Sequence, residues 1–236
     1  MATLVVALDM PEASQALDMA YKLSGLPVWL KVGLELFSLA GPDLVHSLKD
    51  KGFSVFLDLK LFDIPHTVQS AVSSAQRMGV DMLTIHAMGG ERMARAALEG
   101  IDTSKPNAPL IMGVTVLTST AQGELPGYTG DIGVLATNLA RHASNWGLHG
   151  VVCSGFEVPS IKAQCPANFL CLTPGIRLAD SSADDQRRIM TPRQAVQAGA
   201  NFLVVGRPIT RSPHPDQITQ RIVDEMEAAY CQRTAL

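Results

Sequence analysis

Eight short β-favouring runs recur along this chain, and a stretch of helical periodicity follows each one. The runs cover 4–9, 28–33, 54–60, 82–87, 110–116, 150–154, 169–174 and 202–207. The helical stretches cover 11–24, 42–51, 66–79, 90–99, 131–146, 156–164, 192–198 and 216–231. In 66–79, Val68, Ala71, Val72, Ala75 and Met78 make one apolar stripe, as an amphipathic helix requires. Regular alternation of strand and helix implies parallel strands, because each helix carries the chain back to the edge where the next strand starts. Eight such units in 236 residues fit a closed barrel. The expectation is an α/β fold, a (β/α)8 TIM barrel, forming a single domain over 1–236. A doubly wound open sheet is the competitor. It favours a glycine-rich turn after its first strand, and here that place reads Asp9-Met10-Pro11-Glu12.

Composition narrows the function classes. A hydrophobic fraction of 47% supports a sizeable core, and a formal charge of -3 carries no basic excess for binding nucleic acid. A small anion would have to be held by local Arg or Lys side chains. No apolar run is long enough to span a membrane, and Met1 leads straight into a strand rather than a signal peptide. Cys153, Cys165, Cys171 and Cys231 show no metal-ligand spacing. Cys153 and Cys171 sit in apolar runs and read as buried thiols, and a reducing cytoplasm is the expected compartment.

In such barrels the chemistry gathers at the C-terminal ends of the strands. Those ends carry Asp9, Lys31, Asp58, Lys60, His86, Thr118, Arg177 and Arg207. The densest stretch is Asp58-Leu59-Lys60-Leu61-Phe62-Asp63-Ile64-Pro65-His66-Thr67. Residues two apart on a strand share a face, so Asp58 and Lys60 project together while Leu57, Leu59 and Leu61 project away. An isolated Asp–Lys pair is most simply a structural salt bridge. Here Lys31 ends the neighbouring strand and Asp63 follows three residues on, so the charges alternate as Lys–Asp–Lys–Asp. Each carboxylate then favours charged lysines, as a proton donor requires. Asp63 also precedes Ile64-Pro65 and can serve as a helix N-cap.

Gly206-Arg207 closes the last strand, and Pro174-Gly175-Ile176-Arg177 closes the one before it. One loop Arg is usually a solvated charge, but two on adjacent strand ends suit a phosphate. The polar stretch between Arg177 and Gln186 reads either as a lid over a ligand or as a surface connection. His86, alone on its strand, reads as a structural histidine.

The segments Leu8-Asp9, Leu30-Lys31-Val32-Gly33, the run from Asp58 to Thr67, and Thr84-Ile85-His86-Ala87 occur in that order. Val114 to Ser119, Thr173-Pro174-Gly175-Ile176-Arg177, Asp185-Gln186 and Val205-Gly206-Arg207 continue the series. Together they closely resemble the bacterial-type orotidine 5′-phosphate decarboxylase family. The Asp-x-Lys-x-x-Asp core alone is shared with sugar-phosphate decarboxylases, and the continuation Ile-Pro-His-Thr makes the match specific. The resemblance implies a homodimeric barrel that needs no metal and no organic cofactor. It implies conversion of orotidine 5′-phosphate to uridine 5′-phosphate and carbon dioxide, the last step of de novo pyrimidine nucleotide synthesis.

By the same resemblance, Lys60 protonates carbon 6 of the pyrimidine and Asp58 orients it beside the substrate carboxylate. Asp63 and Thr67 enter the partner's site. Lys31 belongs to the charge chain and, with Asp9, meets the ribose, while Thr118 meets the pyrimidine. Arg177, Gln186, Gly206 and Arg207 hold the phosphate. One departure is the loop after Arg177, which continues Leu178-Ala179-Asp180-Ser181-Ser182-Ala183-Asp184 where the family usually has Pro and a Gly-rich stretch. Two alternatives carry distinct expectations. A related sugar-phosphate decarboxylase would depend on bound Mg²⁺, and a non-catalytic nucleotide-binding barrel would hold uridine 5′-phosphate without turnover.

Overall fold

The computed structural model of the chain describes residues 1–105, 108–178 and 189–234. Eight strands, Thr3–Ala7 (β1), Val28–Gly33 (β2), Ser54–Leu61 (β3), Met82–His86 (β4), Leu110–Val114 (β5), Gly150–Val152 (β6), Leu170–Thr173 (β7) and Phe202–Val205 (β8), close into a barrel in sequence order. All eight neighbouring pairs are parallel, and β1 closes on β8 through Leu4 beside Leu203 and Val6 beside Val205. The closed-barrel expectation holds, and the open sheet is set aside.

Strand alternation builds two cores. Inward side chains, among them Val5, Ala7, Phe56, Met82, Met112, Leu172 and Val204, fill the barrel, with Trp29 edge-on to Phe202 at 5.3 Å. Outward side chains such as Leu4, Val6, Leu30, Val55, Leu83 and Cys171 pack against the helices. A buried aliphatic side chain of this kind is worth roughly 1.5–3 kcal/mol relative to its exposed state, so the two layers together fix the barrel. On β3 the expected division is seen: Leu57, Leu59 and Leu61 join the outer layer while Asp58 and Lys60 face the rim.

The helices are Ala13–Lys22 (α1), Leu34–Asp50 (α2), Pro65–Arg77 (α3), Gly90–Glu99 (α4), Ile132–Asn145 (α5), Val158–Gln164 (α6), Pro192–Ala198 (α7), Arg207–Thr210 (α8) and Pro215–Thr234 (α9). The stripe expected on α3 is real, with Val68, Val72 and Ala75 buried. The span of α2 holds a further helical segment ahead of the stretch over 42–51 that the periodicity suggests. Gly41, at φ 59° and ψ -153°, is not helical, so it separates this first helical segment from a second one that starts at Pro42, where the periodicity places it. Among the described residues no helix is long and apolar enough to cross a membrane.

Six strands end earlier than the sequence suggests, while β2 ends where expected and β3 runs one residue longer. Asp9 lies past β1, Thr118 lies four residues past β5, and Arg207 opens α8 rather than ending β8. These rim residues run beyond the last ladder partners, which leaves their side chains turned into the mouth of the barrel.

Candidate active site

A cavity of about 400 Å³ occupies the C-terminal mouth of the barrel. Its floor is apolar, from Ala7, Phe56, Val114, Val152, Leu172 and Val204. Its wall is charged and polar. Asp9, Lys31, Asp58, Lys60, Thr118, Arg177, Gly206 and Arg207 all line it, although they come from six different strand ends.

One side of the wall is a chain of alternating charges. The Lys31 ammonium lies 2.8 Å from Asp9 Oδ1 and 3.8 Å from Asp58 Oδ2, and the Lys60 ammonium donates to the same Asp58 oxygen at 2.8 Å. Asp58 and Lys31 are the sheltered members, with side chains 13% and 10% exposed. Burying a lone charge here would be strongly unfavourable, and the chain leaves each of these two with opposite charges on hand. Gly33 keeps the space open: a Cβ there would stand 3.1 Å from Lys31 Nζ and 3.3 Å from Asp9 Oδ1.

The backbone under Lys60 is unusual. Lys60 has φ 51°, and it is the one non-glycine residue with positive φ among the described residues. The β3–β4 register slips between Leu57 and Leu61. Thr84, fully buried on β4, spans the slip: its hydroxyl accepts from Lys60 N at 2.9 Å and donates to Asp58 Oδ1 at 2.9 Å. The sequence reading missed Thr84 as a site residue. A threonine on a strand is ordinary, and nothing local marks its hydroxyl as a partner of residues 24 and 26 positions away.

Opposite stand the arginines. Arg177 is buried, and its guanidinium donates to the Ile176 carbonyl at 3.0 Å. Gly206 leads into α8, where Pro208 follows Arg207 at the helix start. Thr118 is buried in the loop after β5, which the small apolar cluster of Val116, Ile132 and Ala136 anchors.

Asp63 and Thr67 lie outside this cavity and are exposed. Asp63 is not the N-cap of α3. That position is Ile64, and Asp63 Oδ1 accepts from the Ile64 N–H at 2.7 Å. Within one chain it is therefore Asp9, not Asp63, that ends the run of alternating charges. Gln186 and the loop over 179–188 lie outside the described residues. His86 stacks on Phe62 with centroids 5.5 Å apart, and its Nδ1 accepts from Met88 N at 3.4 Å. Burial, reinforced by the nearby Lys60 charge, holds its pKa below the usual 6.5. A neutral, stacked ring suits the structural role expected of it. Among the described residues no group of three or more His, Cys, Asp or Glu side chains is placed to hold a metal ion.

Ion-paired lysines facing two arginines across the mouth of a (β/α)8 barrel define an enzyme site of the kind that handles small anions. The chain belongs to the orotidine 5′-phosphate decarboxylase / HUMPS family, which it matches over residues 2–222. It is 60% identical over 232 residues to the orotidine 5′-phosphate decarboxylase of Nitratidesulfovibrio vulgaris (strain DP4), covering 97% of this chain and 99% of that one. It is 54% identical to the Lawsonia intracellularis enzyme of the same name, over 96% of this chain and 100% of that one. Among solved structures, orotidine 5′-phosphate decarboxylase from Lactobacillus acidophilus superimposes with a TM-score of 0.86 at 33% identity, covering 96% of this chain and 99% of that one.

Proposed function

We propose that this chain decarboxylates orotidine 5′-phosphate to uridine 5′-phosphate and carbon dioxide, as a step of pyrimidine nucleotide synthesis. The observation that carries the reading is the Asp9–Lys31–Asp58–Lys60 chain at the edge of a cavity with Arg177 and Arg207 across it. The relatives' shared name supports it.

The reaction breaks the bond between carbon 6 and its carboxylate. Carbon dioxide leaves, and the bonding electron pair stays on carbon 6. A carbanion formed without an electron sink needs positive charge already in place where the negative charge develops. The Lys60 ammonium, held by Asp58, supplies that charge and then transfers its proton to carbon 6. The neutral amine regains a proton from water. Asp58 sits beside the departing carboxylate. Asp9 and Lys31 meet the ribose hydroxyls, Thr118 meets the pyrimidine, and Gly206, Arg207, Arg177 and Gln186 hold the phosphate. Grip on the remote phosphate contributes binding energy that the reacting centre can use.

The catalytic unit is the one barrel domain over 1–236, working as a homodimer in which Asp63 and Thr67 enter the partner's site. Two features support the dimer. Asp63 is exposed and does not line its own cavity, and Phe62 and Ile64 beside it are 62% and 67% exposed. Leu39 and Met88, also exposed, belong to the segments following the neighbouring strands β2 and β4. Exposed apolar side chains on neighbouring segments fit an interface.

The deciding experiment follows the ultraviolet absorbance of orotidine 5′-phosphate after adding purified protein in EDTA. Loss of the orotate band is expected, together with a fall on the order of 10⁴-fold or more in Lys60→Ala. An unchanged spectrum with folded protein would reject the reading.

A further inference from the structure

We infer that Thr84 is a positioning residue for Lys60 and Asp58, acting through a hydroxyl that clamps a bulge in β3. The inference rests on the reading of Lys60 as the proton donor.

Leu57 stands beside Leu83, so an unbroken parallel ladder would bring Lys60 level with His86. Leu61 instead stands beside Ile85, which brings Lys60 level with Thr84. Four residues of β3 therefore run against two of β4. At about 3.3 Å per residue, the bulge sets Lys60 about 7 Å deeper along the barrel than a regular strand would. That depth puts the ammonium beside Asp58 at the edge of the cavity, rather than above the rim with His86.

Such a bulge needs a reason to persist. Lys60 takes φ 51°, a left-handed conformation disfavoured by any residue with a Cβ. The Lys60 N–H is withdrawn from the regular ladder and would lack an acceptor. Thr84 Oγ1 takes that bond at 2.9 Å and passes its own proton to Asp58 Oδ1 at 2.9 Å. Asp58 as a carboxylate only accepts, so the direction of both bonds is determined. One hydroxyl thus ties the backbone of the proton donor to the side chain of its carboxylate partner. Thr84 is fully buried and does not line the cavity, so it acts without touching substrate.

The hydroxyl fills this place because it donates and accepts from one atom. Valine matches threonine in shape and removes both bonds. Serine keeps both bonds and loses only the methyl, and alanine loses the methyl and the hydroxyl. Thr84→Val is expected to lower kcat by about ten- to hundredfold, the loss typical of a hydrogen bond to a charged group. Binding of uridine 5′-phosphate, followed by titration calorimetry, should stay within about threefold, because the phosphate grip lies across the cavity. Thr84→Ser should exceed Thr84→Ala in kcat by the same about ten- to hundredfold. In a crystal structure of Thr84→Val, Lys60 should leave the left-handed region.

Equal kcat in the serine and alanine variants would overturn the inference, as would Lys60 keeping positive φ in the valine variant. If Val and Ala fail to fold while Ser folds, Thr84 is a folding residue and the inference also falls. The decarboxylase reading stands or falls separately, on turnover by the wild-type protein. Were that absent, the Lys60 backbone angle in Thr84→Val would still decide the role of Thr84.

Discussion

The Lys31 ammonium stands 3.8 Å from the Asp58 carboxylate, and this contact joins the Asp9 end of the site on β1 and β2 to Lys60 on β3. Removing Lys31 would leave the sheltered Asp58 with Lys60 as its remaining cation. Loss of one member of such a preorganised set typically lowers turnover by about 10²–10³-fold. We expect Lys31→Ala to lower kcat/KM on that scale. Lys31→Arg should not restore it, since a planar guanidinium does not reproduce a compact ammonium. A kcat/KM close to wild type would contradict the role of the chain.

Arg207 lies across the cavity from Lys60, at the start of α8. Its proposed contact is with the phosphate, in the ground state as in the transition state. Arg207→Ala should raise KM by about 10–100-fold, on the scale of charge-assisted hydrogen bonds, with a smaller change in kcat. Steady-state kinetics separates the two, and an unchanged KM would remove Arg207 from the phosphate site.

Gly33 has an ordinary extended backbone, so its need for glycine is steric. A Cβ would press on the Lys31–Asp9 pair from 3.1 and 3.3 Å. Gly33→Ala should leave the thermal midpoint nearly unchanged while lowering kcat/KM by about tenfold, because the ammonium must shift by a few tenths of an ångström. A fully active, equally stable Gly33→Ala protein would show that the pair tolerates displacement.

If Asp63 serves the partner's site, Lys60→Ala and Asp63→Ala are each inactive but complement one another. In a mixed dimer, one site combines an intact Lys60 with an intact Asp63. Random reassortment puts half the molecules in mixed dimers with one good site each, so activity should recover to about a quarter of wild type. Mixing the two proteins after mild dissociation and assaying turnover checks this. No recovery, with mixed dimers present, would place Asp63 outside the partner's site.

His149 begins the turn into β6, and its Nδ1 accepts from Ile111 N at 3.0 Å while its own N–H donates to the Ile111 carbonyl. Burial holds its pKa below the usual 6.5. As pH falls below 6.5 the unfolded chain takes up the proton first, so stability declines on the acid side and is recovered as pH rises. His149→Asn keeps an acceptor that does not titrate. Its urea midpoint should therefore fall less than that of wild type between about pH 7.5 and about pH 5.5. His86, shifted in the same direction, keeps some slope in both proteins. Identical acid-side slopes would exclude His149 as a source.

Local patterning was enough to reveal the barrel. Leu57, Leu59 and Leu61 alternate with Asp58 and Lys60, Val68, Val72 and Ala75 recur at helical spacing, and eight such units leave few closed architectures. The rim residues could be named for the same reason, since polar side chains at the ends of parallel strands have one place to go. The helical segment ahead of Gly41-Pro42 was hidden because Leu34 to Ala40 is short and mostly apolar, with too few residues to show a helical stripe.

What only the tertiary structure decided depends on partners distant in the chain. The depth of Lys60 is set by a register slip against β4, and the slip is held by Thr84, a residue with no distinguishing local context. Asp9 rather than Asp63 ends the charge chain within one subunit, because the pairing of β1 with β2 brings Asp9 to Lys31 while Asp63, in the turn after β3, lies outside the cavity. Side-chain periodicity is a property of neighbouring residues and can be read along the sequence. Register and hydrogen-bond direction arise between strands, and they exist only once those strands have paired.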